Sequence, residues 1–417
     1  GQSIVAESTF FSPQPQISMV IMDQKTGYVK AISGGRGQKM ASRTLNRATG
    51  TYRQPGSTFK VVAAYAAAID DFGKTISSTY EDEPYAYSNG REVHNWLTNT
   101  YQGTVSIRQA IANSINVAAV KCITEITPQV AYKKLLDFGF TSLDPEHDIN
   151  QPLALGGIYR GVSNLELTAA YASIANQGTY NQPIFYTCIR NMDGDVILEN
   201  DADTHRVLKE GTAFQLTLAM QDVISYGTGG ALALPCGMPV AGKTGTTSAY
   251  NDVWFVGYTP YYTCGIWAGY DNNEKLGGDE RNYHKTIWRN VMNALASELP
   301  IIQFDRPEGV VSAWVCDDTG MIPNEFCPGM HEAFFTPDTL PQSVCSLHQP
   351  PPPPVESLVE SITDDSDSSG ELDYGTSSES SSEAPVEPPS SDPAPPSSED
   401  PPPPPENSPE ATAEMPY

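Results

Sequence analysis

Residues 239–270 read P-V-A-G-K-T-G-T-T-S-A-Y-N-D-V-W-F-V-G-Y-T-P-Y-Y-T-C-G-I-W-A-G-Y. Three runs rich in β-branched and aromatic residues are separated by short turns, which predicts a three-stranded meander. Upstream, residues 17–33 (I-S-M-V-I-M-D-Q-K-T-G-Y-V-K-A-I-S) place two β-rich runs around the polar turn Asp23-Gln24-Lys25-Thr26-Gly27, a hairpin pattern. Downstream, residues 283–297 alternate with the period of an amphipathic helix. From Ser57 to about Tyr226 the patterns are mostly helical. There Ser163 stands three residues before Glu166 as a possible capping box, and Gly178 ends the helix it opens. Two strands, then helices, then three strands and a helix predict an α/β (α+β) fold. In it, one central five-stranded antiparallel sheet is built from both ends of the domain, flanked by helices and joined to a mostly helical subdomain.

The charge is uneven. The formal net charge is −26, and from Pro350 to the end there are 16 acidic residues and no Lys or Arg. The tail therefore carries −16, and the remaining −10 belongs to a moderately acidic body. No basic patch stands out, which argues against nucleic acid as a partner. Residues 350–417 are Pro, Ser and Glu with almost no aromatics, so they bury too little apolar surface to offset chain entropy and read as a disordered tail. No apolar run approaches a membrane span. The opening G-Q-S-I-V-A-E-S-T-F-F has no signal peptide and reads as a cut inside a longer protein. Residues 1–16 are then a linker from an absent upstream domain, 17–299 the main domain and 300–349 a small appendage.

Seven cysteines are present. Cys122, Cys188, Cys236 and Cys264 stand singly in apolar surroundings and read as buried free thiols. Cys316, Cys327 and Cys345 cluster near the end of the ordered part, and one disulfide among them suits an extracytoplasmic protein. Cys345 with His348 raises the question of zinc, but the flanking spacing fits no standard ligand pattern, so no metal or other cofactor is expected.

Three short motifs carry possible chemistry. In R-Q-P-G-S-T-F-K (53–60), Ser57 precedes Lys60 by three residues at a helix start. That spacing places both side chains on one face. A serine hydroxyl becomes a nucleophile only when a neighbour takes its proton, and a lysine can do so only if its ammonium is destabilised. The bland alternative is a helix cap beside an exposed lysine. Ser114-Ile115-Asn116 lies in an otherwise helical, apolar run, and two polar residues there need partners, either local backbone or something distant. Lys-Thr-Gly occurs twice. Lys25-Thr26-Gly27 is explained as turn chemistry. Lys243-Thr244-Gly245 sits inside a strand, where Gly242 and Gly245 imply the close approach of another backbone or a ligand. Thr244, Thr246 and Thr247 line that strand with hydroxyls.

Ser-x-x-Lys, Ser-x-Asn and Lys-Thr-Gly in this order resemble the penicillin-binding proteins and serine β-lactamases. The resemblance extends to N-R-A-T-G-T-Y-R-Q-P-G-S-T-F-K (46–60), L-A-L-G-G-I-Y-R-G-V-S-N-L-E-L-T-A-A-Y-A-S-I-A-N-Q-G (153–178) and D-V-W-F-V-G-Y-T-P (252–260), which are similar to class A, bifunctional penicillin-binding proteins. It covers residues 1 to about 349 and leaves out the acidic tail. It implies a β-lactamase/transpeptidase-like fold and a D,D-transpeptidase that cross-links peptidoglycan through a serine acyl-enzyme at D-Ala-D-Ala. Donor and acceptor stem peptides would be its partners and β-lactams its covalent inhibitors. Ser57 would be the nucleophile, Lys60 its base, Ser114 a proton relay and Lys243 a positive support. Asn116, Thr244, Gly245 and Thr246 would hold substrate, with the backbone N–H groups of Ser57 and Thr246 as an oxyanion hole. The implied place is the extracytoplasmic face of a bacterial, Gram-positive membrane, anchored upstream, with the glycosyltransferase domain also upstream. A serine β-lactamase, a D,D-carboxypeptidase and a non-catalytic β-lactam sensor are the alternatives the motifs leave open.

Overall fold

Five strands pair antiparallel in the order β3-β4-β5-β1-β2: β1 Gln16–Asp23, β2 Val29–Ser33, β3 Ala241–Thr246, β4 Asp252–Tyr258 and β5 Tyr262–Gly269. The computed structural model describes residues 14–38, 42–97 and 100–350. The expectations for the acidic tail beyond Pro350, and for most of the 1–16 linker, lie outside them. The meander and the hairpin at opposite ends of the domain meet through the β1–β5 ladder, Gln16 opposite Gly269 through Asp23 opposite Tyr262. In the hairpin turn, Asp23 Oδ1 accepts the N–H groups of Lys25 and Thr26, and Gly27 takes φ +77°. Lys25-Thr26-Gly27 is turn chemistry, as its sequence implies.

Both faces of the sheet are covered, which is why β4 reads as a continuous apolar run and not as an alternating one. Phe255 stands opposite Ile266, and its ring meets Trp288 edge-on with centroids 4.7 Å apart. Trp288 belongs to the amphipathic helix Tyr283–Ala296 and donates its indole N–H to the Cys264 carbonyl at 2.9 Å. On the other face, a Cβ on Gly265 would strike Asn164 and Thr168 of the helix Asn164–Ala175. Asn164 in turn donates to the carbonyls of Ser18 and Gly265, at 3.1 and 3.2 Å, tying that helix to two strands at once. The capping box at its start is present, with Ser163 and Glu166 satisfying each other's backbone N–H groups. A cap of this kind contributes about 1 kcal/mol.

The stretch from Ser57 to Tyr226 is less purely helical than its sequence suggests. Four two-stranded ribbons interrupt it: Thr79–Asp82 with Gly103–Ser106, Tyr85–Ala86 with Glu92–Val93, Thr179–Asn181 with Thr204–Arg206, and Cys188–Arg190 with Val196–Glu199. Their strands are two to four residues long, too short to show a period of two. Cys188 lies in the last ribbon and is exposed, contrary to the expectation of burial, and Cys236 is half-buried, while Cys122 and Cys264 are buried. The appendage carries a further hairpin, β6 Val311–Cys316 with β7 Met330–Phe335. Its Phe334 ring meets Phe214 of the helix Glu210–Ser225 edge-on at 5.7 Å. Among the described residues no helix is long and apolar enough to cross a membrane.

Candidate active site

The turn bearing Ser57 is clamped from several sides. Gly56–Thr58 forms one 3₁₀ turn, Lys60–Tyr65 a π-helical turn, and Ala66–Asp71 continues as α-helix. Short π segments inside helices recur at functional positions because they re-aim side chains. Tyr171 donates its hydroxyl to the Thr58 carbonyl at 2.6 Å, and Trp254 donates its indole N–H to the Gln54 carbonyl at 2.9 Å. The Thr58 hydroxyl closes the turn on the Pro55 carbonyl. Arg53 and Val162 exchange both backbone hydrogen bonds. A Cβ on Gly245 would lie 2.4 Å from the Pro55 oxygen, so β3 can pass this turn only with glycine there. Gly56, at φ +55°, has the same constraint in reverse, since its Cβ would lie 2.7 Å from the Thr246 oxygen. The close approach that Gly242 and Gly245 suggested is therefore real. At Gly245 it is the turn that carries Ser57; at Gly242 it is the Phe255 ring and the Gly257 backbone.

Ser114 and Asn116 do not lie within one helix. The run breaks between the helices Ile107–Ala112 and Asn116–Ile126, and Ser114 sits in the break at φ +57°. A non-glycine residue held there costs roughly 1–3 kcal/mol, supplied by its surroundings. The break aims three acceptors at Lys60, whose Nζ donates to the Ser114 carbonyl at 2.6 Å, to Ser114 Oγ at 3.2 Å and to Asn116 Oδ1 at 2.5 Å. The local helix hydrogen bonds that would have made this pair unremarkable are replaced by contacts across more than fifty residues of chain.

Lys60 is fully buried. Desolvation, and next the charge of Lys243, hold its ammonium well below the ordinary lysine range. Lys243, also fully buried, is lowered to about 7, first by desolvation and then by Lys285. The two lysines lie beneath a pocket of about 820 Å³ lined by Ser57, Ser114, Asn116, Thr244, Thr246 and Lys285 among others. Thr244 shares a 2.8 Å hydroxyl–hydroxyl hydrogen bond with Thr228. The positions picked from sequence thus converge: five line the pocket, Lys60 and Lys243 lie beneath it, and Gly245 packs against the turn that carries Ser57.

The sequence reading missed the rest of the lining. His94, Asn95 and Trp96 form one wall, and Tyr226, Thr228 and Lys285 stand elsewhere around it. Asn95 Oδ1 accepts the Asn116 backbone N–H at 2.9 Å, while Asn116 donates its amide to the His94 carbonyl at 2.6 Å. The 92–97 segment therefore fixes the Asn116 side chain with its oxygen toward Lys60. Its one sequence signal is an isolated Trp in the polar run H-N-W-L-T-N-T. Nothing in the sequence marks Lys285 or Thr228.

Residues 17–293 match the penicillin-binding protein transpeptidase domain. The chain belongs to that family. Residues 306–350 match the C-terminal domain of penicillin-binding protein 1A, which makes the chain similar to class A members in particular. It is 32% identical to penicillin-binding protein 1A of Clostridium tetani over 356 residues, 80% of this chain and 45% of that protein. It is likewise 32% identical to penicillin-binding protein 1A/1B of Bacillus subtilis over 327 residues, 73% of this chain and 35% of that protein. The chain thus spans less than half the length of these relatives. Among solved structures, penicillin-binding protein 1A from Haemophilus influenzae superposes with a TM-score of 0.70 at 22% identity, covering 79% of this chain and 54% of that one. PonA1 from Mycobacterium tuberculosis in complex with penicillin V does so with a TM-score of 0.62 at 24% identity, covering 71% of this chain and 82% of that one. Both support the α+β fold read from the order of elements and the transpeptidase-like form that the resemblance implied.

Proposed function

We propose that this domain is a D,D-transpeptidase that cross-links peptidoglycan stem peptides through an acyl-enzyme on Ser57, and that β-lactams acylate the same serine. Lys60 carries the proposal: a buried lysine that donates hydrogen bonds to two carbonyl oxygens and a hydroxyl, with a second buried lysine nearby. A lysine so placed loses its proton readily and can act as a general base at neutral pH. Ser57 Oγ attacks the carbonyl carbon of the penultimate D-Ala, and its proton passes to Lys60 Nζ. Ser114 relays a proton to the nitrogen of the departing D-alanine, leaving an ester on Ser57. An amine from a second stem peptide attacks that ester, gives up its proton along the same route and restores the serine. The backbone N–H groups of Ser57 and Thr246 hold the oxyanion, each such donor contributing about 3–4 kcal/mol in the transition state. Thr244 and Thr246 bind the terminal carboxylate, Lys243 supplies positive charge, and Asn116 bonds a peptide amide. Gly245 lets the strand and the nucleophile turn approach.

The substrate lies outside the cytoplasm, so we place the domain at the outer face of a Gram-positive cell membrane, anchored by upstream sequence. Ser57→Ala is expected to abolish covalent labelling by fluorescent penicillin while circular dichroism and the unfolding midpoint stay close to the parent's. Stoichiometric labelling of that variant overturns the assignment. With the active protein, product analysis in the presence of an acceptor amine separates cross-linking from hydrolysis by a carboxypeptidase.

A further inference from the structure

Cys316, Cys327, Cys345 and His348 stand at spacings of 11, 18 and 3 residues, which match no common metal motif. Folding nevertheless brings them together: their ligand atoms all lie within 4.8 Å of one another. Cys316 ends β6, Cys327 comes from the following loop, and Cys345 and His348 come from the last described segment. The loop and that segment are joined by backbone hydrogen bonds, Ile322 N–H to the Ser343 carbonyl and Cys345 N–H to the Ile322 carbonyl.

We propose that these four residues bind one zinc ion in a closed structural site. The spacing along the chain fits no standard ligand pattern, but the fold brings the four ligand atoms into one cluster. A tetrahedral zinc with Zn–S near ~2.3 Å and Zn–N near ~2.0 Å sets its ligand atoms roughly 3.5–3.8 Å apart. His348 Nδ1 lies 3.3 Å from Cys345 Sγ and 3.5 Å from Cys316 Sγ. A disulfide needs sulfurs about 2.05 Å apart, whereas all seven cysteines are free thiols in this structure. The imidazole is also oriented as a ligand. Its Nδ1 faces the sulfurs, and its Nε2 faces Asp318 Oδ2 at 3.1 Å, the carboxylate partner that fixes tautomer and ring plane in zinc sites. Asn324 holds the rest. Its backbone N–H points at Cys327 Sγ at 3.3 Å, and its side-chain amide donates to the carbonyls of Cys345 and His348 at 2.8 and 2.9 Å.

Binding balances simply. Three thiols release their protons to solvent, and Zn²⁺ bonds three thiolates and the neutral imidazole. Four protein ligands leave no open position for a substrate, and none of the four lines the pocket of Ser57. The site has a structural task to perform. The buried core of the appendage is Val315, Ala333 and Phe335, with Ala313 and Leu340 against it. Units of about 50 residues with so small a core usually need a metal or disulfides. Thiolate and imidazole ligands in tetrahedral array suit zinc better than magnesium or calcium.

The test uses the whole 417-residue chain, purified without chelator. Inductively coupled plasma mass spectrometry should find close to one zinc per chain, and alkylation in denaturant without reductant should label all seven thiols. Cys316→Ser and Cys345→Ser should each lose most of the metal, while Cys188→Ser, outside the cluster, should keep it. Should the cluster variants fail to fold, the parent keeps the question open to decision. Exchanging its metal for Co²⁺ should give the strong visible d–d bands of a tetrahedral thiolate site. Removing zinc should open residues 311–348 to hydrogen exchange while penicillin labelling of Ser57 persists. A metal-free chain with only five reactive thiols, the other two oxidised among Cys316, Cys327 and Cys345, overturns the proposal. So does a fully reduced chain that takes up neither Zn²⁺ nor Co²⁺.

Discussion

Lys60 and Lys134 are both buried lysines in the same helical region, and their surroundings push them in opposite directions. Lys134 donates to Asp70 at 2.9 Å and to the Val207 carbonyl at 3.2 Å, and pairs with Asp71 at 2.9 Å. Desolvation alone would lower it, but hydrogen bonds and charge from the two carboxylates outweigh that and hold its ammonium above the ordinary range. Lys60 meets carbonyl oxygens and a hydroxyl, with Lys243 as its charged neighbour, and is driven well below. Desolvation lowers both; at Lys134 two carboxylates outweigh it, whereas at Lys60 the neighbouring charge, Lys243, adds to it. One lysine cements the helix Pro128–Asp137 to the end of Ala66–Asp71, and the other is bonded to Ser114 and Asn116, which line the pocket.

The sharpest way to break this contrast is to give Lys60 what Lys134 has. Asn116→Asp places a carboxylate where an amide oxygen now lies 2.5 Å from Lys60 Nζ. We expect penicillin acylation at pH 7 to fall by about 10-fold or more, and the acidic, ascending limb of its pH–rate profile to move up by about one unit or more. An unchanged profile would remove Lys60 as the base.

The converse change weakens the structural lysine. Asp70→Asn takes one carboxylate from Lys134 and keeps the shape. Asp71 remains as a partner, so a loss of about 2–3 kcal/mol is expected in urea unfolding, with the acylation rate within about twofold of the parent. A variant that stays stable but fails to acylate would show that the two lysines are coupled.

The smallest effect is on stability against pH. Lys243 titrates near 7 when folded and near its ordinary value, about 10.5, when unfolded. Between these values the unfolded chain binds the extra proton, so stability rises with pH and levels off below about 7. Above about pH 10 the buried phenols of Tyr65 and Tyr171, held well above their usual range, reverse the trend because the unfolded chain loses those protons first. Lys60 and Lys285, also held below the ordinary lysine range, act in the same sense, so Lys243→Met should reduce the slope between about pH 7.5 and 9.5 without abolishing it, read as urea midpoints. An unaltered slope would mean that Lys243 keeps its ordinary proton affinity when folded.

What was legible in the sequence was what depends on neighbours along the chain. The five sheet strands, the Ser163–Glu166 capping box, the Asp23–Gly27 turn and the three short motifs all follow from local periodicity, turn chemistry or residue type. Gly245 even announced a close approach, though not what would approach. The tertiary structure alone decided the rest. Ser114 holds a left-handed backbone, and its carbonyl accepts from Lys60, 54 residues away. The 92–97 segment aims Asn116, and Lys285 reaches the pocket from the helix Tyr283–Ala296. Cys316, Cys327, Cys345 and His348 gather from three segments whose spacing resembles nothing familiar. Charge, desolvation and metal coordination act through space over a few ångströms. A sequence records separation along the chain, so it can name the residues capable of chemistry but not which of them will be buried against which.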